Sequence, residues 1–167
     1  LEDMAHATSI SYKNEGDFIV CLGSLNPTLG GSEYLKIVHD KIEGPLHNFD
    51  IKSELDVQNL CLDAIKEGLI NSAHDISDGG LAVNIAESIL FSDESIGAEI
   101  NLSRKMRNDE LLFGECQSVI IVTINEENLF TLVEKAQALN VYTQTIGKVT
   151  SNGTLIINDL IDIGKKE

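Results

Sequence analysis

The chain has no tryptophan, two prolines and three cysteines in 167 residues, and fewer than half as many basic as acidic side chains. With so little proline, and with 43% hydrophobic and 23% charged residues, the composition is that of a folded globular unit and not of a linker or low-complexity tract. Cys21, Cys61 and Cys116 are odd in number, far apart and without CxxC spacing, so neither a disulfide framework nor a zinc site is indicated. Cys21 and Cys61 lie in apolar segments and read as core filler. The 12 Lys plus Arg against 27 Asp plus Glu leave a net charge of −15, which repels nucleic acid phosphates and anionic lipid alike. Neither a nucleic acid nor a membrane is expected as a partner. No apolar run approaches the roughly 20 residues needed to cross a bilayer, and the opening residues lack the layout of a secretion signal, so a cytoplasmic location is expected. The chain starts at Leu1 and not at methionine, which reads as one domain, residues 1–167, cut from something longer.

Hydrophobic periodicity supplies the elements. Asp17 to Leu22 reads as a buried strand, and Ser32 caps a short helix whose Leu35 and Val38 can face inward. Ser53 and Asp56 resemble a capping box before a stripe of Val57, Leu60, Cys61, Ala64 and Ile65 that stops at Gly68. A strand ending at Ile76 leads to a helix from Leu81 to about Leu90, and Ile96, Ala98, Ile100 and Leu102 alternate as a half-buried strand. Asp109 to Phe113 makes a brief helical turn. Ser118 to Ile124 is apolar on both faces and reads as the central strand. Asn125 caps a helix that buries Leu129, Leu132, Val133, Ala136 and Leu139, after which Val141 to Val149 and Thr154 to Ile157 read as a hairpin through Asn152-Gly153. The sum is an α+β fold, a mixed sheet between helical layers.

Chemistry concentrates in His74-Asp75-Ile76-Ser77-Asp78-Gly79-Gly80-Leu81, at a junction of strand and helix. A helix start exposes unpaired N–H groups and glycine lets an anion approach them, while Asp75 and Asp78 would repel a bare phosphate and so call for a divalent cation between the charges. Spacing alone favours the plainer reading, in which Ser77 or Asp78 caps the helix and the glycines make the turn. Gly30-Gly31-Ser32-Glu33-Tyr34 poses the same alternative. Glu115-Cys116-Gln117-Ser118 precedes the central strand and can project into the same cleft, either as ligand groups or as a polar loop. Cys116 has no partner base at a readable spacing, and His74 reads as a hydrogen-bonded structural residue in preference to a general acid or base. His6, His39 and His47 show no metal-ligand spacing and read as surface residues. Neither GxxxxGK[ST] nor GxGxxG occurs, which excludes the P-loop and dinucleotide folds.

Four segments in order, Gly30 to Tyr34, His74 to Leu81, Leu112 to Ser118 and the terminal Ile146-Gly147 with its hairpin, resemble the phosphoribosylformylglycinamidine synthase family. The resemblance covers nearly the whole chain and matches the carboxy-terminal, AIR synthase-like domain of the second of two fused copies. It implies a part in converting formylglycinamide ribonucleotide, ATP and glutamine-derived ammonia to the amidine in purine biosynthesis. It implies Asp75 as a magnesium ligand, Ser77 with Gly79 and Gly80 as nucleotide contacts, and Glu115 and Gln117 in the places of a substrate-binding Glu-Ser-Gln triplet. Here Cys116 replaces the serine of that triplet, and Val119 stands where a basic residue often follows. Mg2+ and ATP are the implied cofactors of the whole enzyme. An amino-terminal domain of the same chain and a glutaminase domain or subunit are the implied partners. No catalytic residue is expected in this segment, and the domain alone is expected to be inactive. The alternatives are another ATP-using enzyme of the AIR synthase superfamily, or a structural docking domain without ligand chemistry.

Overall fold

Successive side chains of a strand leave on opposite faces, so a strand apolar at every position must be covered on both sides. Phe18–Leu22 (β1) is such a strand. In the computed structural model, which describes residues 6–46, 49–103 and 105–165, helices cover it on both. After β1 come the helices Glu33–His39 (α1) and Ile51–Lys66 (α2), the strand Ser72–Asp75 (β2), the helix Gly80–Leu90 (α3) and the strand Gly97–Ile100 (β3). The helix Asn108–Phe113 (α4), the strand Ile120–Ile124 (β4) and the helix Glu126–Ala138 (α5) precede three last strands, Thr143–Thr150 (β5), Thr154–Ile157 (β6) and Ile161–Gly164 (β7). The strands form one sheet of order β2-β4-β1-β5-β3-β6-β7, antiparallel except where β6 runs parallel to β3.

Alternation sorts the core into two layers. Ile19, Cys21, Ile121 and Ile146 pack with Leu81, Ile85 and Ile89 of α3 and Leu111 and Leu112 of α4. Val20, Leu22, Val122 and Ile124 face the other way, against Val57, Leu60 and Ala64 of α2 and Leu132 and Ala136 of α5. The expected mixed sheet between helical layers is the architecture observed. All three cysteines are buried and none is in a disulfide, and burial pushes the Cys61 thiol up to about 11. No helix among the described residues is long and apolar enough to cross a membrane.

Four expectations need correction. β5 and β6 are not paired with each other: β3 lies between them, antiparallel to β5 and parallel to β6. Asn152 does make the turn, accepting from the Thr154 amide, but the next amide, Gly153 N–H, donates to Ser95 O just ahead of β3 and so admits that strand. The true hairpin joins β6 to β7, a strand the apolar pattern did not reveal. β4 is interior, flanked by β2 and β1, while the middle place belongs to β5. Helix α2 begins earlier than the capping-box pattern implies, because the Asp50 carboxylate accepts from the Ser53 amide and hydroxyl and so takes the capping role from Ser53. Helix α1 buries none of its residues, and Val38 is 56% exposed instead of facing inward.

The Ser53 hydroxyl and amide hold the Asp50 carboxyl below the usual range. A depressed folded-state value gives stability that is present above the unfolded carboxylate range and is lost as pH falls through the folded value. Asp50→Ala should therefore lower the urea midpoint at neutral pH, and the gap from wild type should close on acidification below the carboxylate range. In the core, Ile85, fully buried under the sheet, should cost about 2–5 kcal/mol when changed to alanine, measured by urea unfolding.

Candidate functional site

The sheet end where β2 finishes and β4 starts gathers the residues of interest. Asp75 stands opposite Ile120 in the antiparallel register, so the loop before β4 lies beside the loop after β2. The last residue of β1, Leu22, also faces Ile120. Gly23 follows so tightly that a Cβ there would sit 2.0 Å from Ser118 O. Asp75, Ser77 and Asp78 are all exposed at this end, while Ile76 between them is buried, its amide donating to Val119 O at 3.0 Å.

Gly79 is the N-cap of helix α3, with no capping bond from a neighbouring side chain, so neither Ser77 nor Asp78 plays that part. Gly79 and Gly80 have φ of 84° and 73°, the left-handed region that glycine enters without a Cβ clash. The Gly80 amide closes a turn onto Ser77 O at 3.2 Å, and a Cβ on Gly80 would lie 2.5 Å from Gly114 O. The Gly79 amide donates to Glu115 Oε1 at 3.0 Å. The same oxygen accepts from the Glu33 amide at 2.9 Å, at the start of α1. The helix-start donors proposed for a phosphate thus hold a carboxylate of the protein itself.

The junction is also fastened from beneath. His74 is a structural residue, as expected: its Nδ1 lies 3.2 Å from both Asn84 O and Ser88 Oγ, and its Nε2 lies 3.5 Å from Glu87 Oε2. The buried Asn84 donates from Nδ2 to Asp75 O at 2.8 Å and to His74 O at 3.3 Å, clamping the end of β2 onto α3. Sequence reasoning passed over Asn84. Its signal was a polar residue in the apolar face between Leu81 and Ile85.

Gln117 is exposed and Ser118 half-buried. The Ser118 hydroxyl donates to Glu54 Oε2 at 2.7 Å, tying this loop to α2. Gln117 borders two clefts. One, of about 440 Å³, is walled by Thr28, Gly30, Gly31, Leu46, Phe49 and Glu115; the other, of about 450 Å³, runs along Asp50 and Ser53 to Ser118 and Tyr142. Cys116 is buried in the core and so does not face either as a nucleophile. His6 and His39 are exposed, and His39 packs edge-on against Tyr34, whereas His47 lies outside the described residues. Lys36, bonded to Glu33 Oε1 at 2.7 Å, is held above its ordinary value, with Asp78 of the neighbouring loop adding to the effect.

Among the described residues no three His, Cys, Asp or Glu side chains converge on a metal position. Asp75 offers a lone carboxylate at the rim. That donor set suits magnesium held mainly by phosphate oxygens and water, with one or two protein carboxylates.

Residues 14–159 match the family of AIR synthase related proteins, C-terminal domain. The chain belongs to this family. Phosphoribosylformylglycinamidine synthase subunit PurL of Alkaliphilus metalliredigens is 36% identical over 152 residues, covering 91% of this chain and 20% of that protein. The PurL subunit of Moorella thermoacetica is 35% identical over 174 residues, covering 99% of this chain and 24% of that protein. The chain thus spans about a fifth to a quarter of these relatives. T. maritima PurL complexed with FGAR superposes with a TM-score of 0.80 at 16% identity, over 96% of this chain and 29% of that one, which shows a shared fold.

In this AIR synthase related domain, Gly80 joins a left-handed backbone to a contact that leaves no room for a methyl group. Gly80→Ala should cost about 2 kcal/mol or more in urea unfolding, since strain and overpacking add.

Proposed function

We propose that the chain is a carboxy-terminal module of a longer phosphoribosylformylglycinamidine synthase. That enzyme converts formylglycinamide ribonucleotide to formylglycinamidine ribonucleotide with ATP and glutamine-derived ammonia, as a C–N ligase of purine biosynthesis in the cytoplasm. The observation that carries this reading is the identity to PurL subunits along almost the whole chain. The T. maritima enzyme, solved with ATP as well as with FGAR, supports a nucleotide as ligand. The geometry supports the rim of the β2-α3 loop as the place where this module meets it.

In this reading Asp75 holds magnesium, which supplies charge neutralisation between the acidic rim and the phosphates. The Ser77 hydroxyl, exposed beside it, bonds the nucleotide directly. Gly79 and Gly80 shape the turn that presents this rim to the nucleotide, their own amides being engaged within the chain and Gly80 packed against Gly114. Gln117, on the cleft side of the same sheet end, offers its amide to substrate oxygens. Residues that activate the substrate belong to other modules. An amino-terminal AIR synthase-like domain completes the cleft, and a glutaminase domain or subunit delivers ammonia. The exposed apolar side chains of Ile37 at 76%, Ile42 at 81% and Leu46 at 80% are in keeping with such a neighbour.

Two measurements test the reading. Isothermal titration of the 167-residue chain with Mg-ATP should show no binding tighter than millimolar, because most contacts lie elsewhere; micromolar binding would contradict this. In the longer enzyme, Asp75→Asn should lose bound nucleotide. Unchanged nucleotide content and activity in the variant would favour a docking domain without ligand chemistry, whereas failure of the unaltered longer enzyme to turn over formylglycinamide ribonucleotide would point to another ATP-using member of the superfamily.

A further inference from the structure

Glu115 stands where the family resemblance implies a substrate contact, yet its main chain and one of its carboxylate oxygens are committed inside the protein. Its main chain exchanges two hydrogen bonds with Thr28, Thr28 N–H to Glu115 O at 3.0 Å and Glu115 N–H to Thr28 O at 2.9 Å. Its carboxylate spans the starts of α1 and α3 through one oxygen, Oε1, at 2.9 Å and 3.0 Å. The residues around it leave little freedom to part. A Cβ on the preceding Gly114 would meet Glu110 O at 2.4 Å and Pro27 Cβ at 2.8 Å. One residue further back, the Phe113 ring stacks on Tyr34, the neighbour of Glu33, with centroids 5.2 Å apart and planes within 7°.

We infer that Glu115 is a positioning residue: its carboxylate is an internal anion that locks the Gly30-Gly31 and Gly79-Gly80 loops together and so sets the pose of the Asp75 to Asp78 rim. Two amides at positive helix ends are best matched by a full negative charge, and bonds of this charge-assisted kind are short and strong. A carboxylate already seated at the Gly79 amide also repels any second anion there. A phosphate is thereby turned toward the Asp75 side of the loop, where it needs a cation. The locking role stands on the hydrogen bonds alone; the steering of phosphate rests on the nucleotide reading proposed above.

Amide hydrogen exchange in the 167-residue chain, followed by NMR, tests the lock. In Glu115→Ala the Glu33 and Gly79 amides should both exchange about tenfold faster or more, the factor that corresponds to a bond of about 1.4 kcal/mol, while the Val122 amide in the sheet is unchanged. Glu115→Gln keeps an acceptor oxygen and should restore both to within about threefold of wild type. Protection that persists at either amide in the alanine variant overturns the inference. Should that variant fail to fold, an acid titration of wild type decides: both amide proton shifts should follow the Glu115 carboxyl carbon with one midpoint, and shifts that ignore it overturn the lock. Mg-ATP at millimolar concentration then separates the two readings. A shift of the Asp75 carboxyl carbon with Glu115 unmoved supports both. A Glu115 shift as large as that of Asp75 makes it a ligand and overturns the positioning role. No shift at either residue leaves the lock supported, and the nucleotide site is then decided by Asp75→Asn in the longer enzyme.

Discussion

Glu115 Oε1 accepts from two amides that lie 82 and 36 positions earlier in the chain, each at the start of a helix on the same end of the sheet. A helix start exposes donors that must find acceptors, and a buried or half-buried donor left without one costs about 1–3 kcal/mol. Satisfying two such starts with one carboxylate removes both costs at once and also fixes the distance between the loops. The glycines follow from that distance. Gly80 and Gly114 touch backbone to backbone, and Gly30 approaches Pro45 so closely that a Cβ would lie 1.9 Å from its carbonyl oxygen. Glycines that the sequence left open between turn-making and the approach of an anion let loops come close in the fold.

That difference marks how far the sequence was legible. Element type followed from periodicity wherever a helix buries one stripe or a strand buries both faces: Val57, Leu60 and Ala64 of α2, or Val122 and Ile124 of β4, had only one place to go. Pairing was less legible, because a turn signal records local backbone preference and not which strand comes to lie alongside. Asn152-Gly153 turns as its residues dictate, yet β3 enters between the two arms, where Gly97 and Ala98 allow close approach to β6. Ser32 and Asn125 cap their helices as read, but two other caps were mistaken for the same reason. Ser53 and Ser77 have capping chemistry, but Asp50 is nearer to one helix start, and Glu115 reaches the other from a distant segment. Long-range side-chain bonds of this kind carry no periodic signature. The placement of the Glu115 to Ser118 loop beside the His74 to Gly80 loop was legible, since both flank adjoining strands at one sheet end.

Rigidity at this end is distributed between two fastenings with different chemistry. Below the loop, Asn84 donates to the Asp75 and His74 carbonyls while His74 packs against Asn84 O and Ser88, so the end of edge strand β2 is held to α3 without any charged group being buried. Above it, Glu115 holds the turn itself. Between the two, Asp75, Ser77 and Asp78 project outward from a backbone bonded on both sides. Exposed side chains on a fixed backbone are what a binding rim requires, because little ordering entropy remains to be lost when a ligand arrives.

The electrostatics of the rim constrain the ligand further. Asp75 and Asp78 stand at the end of β2 and in the loop after it, Glu33 opens α1, and Lys36 is coupled to both segments through its bond to Glu33 and the field of Asp78. The overall excess of acidic groups adds to the same field. An anion arriving alone meets repulsion from the rim and finds the Gly79 donor already occupied, so neither charge nor hydrogen bonding rewards it. On the reading proposed above, the same anion paired with a divalent ion would meet attraction at Asp75 and a hydroxyl at Ser77. On the proposed reading, selection for the metal complex over the free anion would arise from an occupied Gly79 amide and the exposed carboxylates of Asp75 and Asp78, without a dedicated cage of ligands.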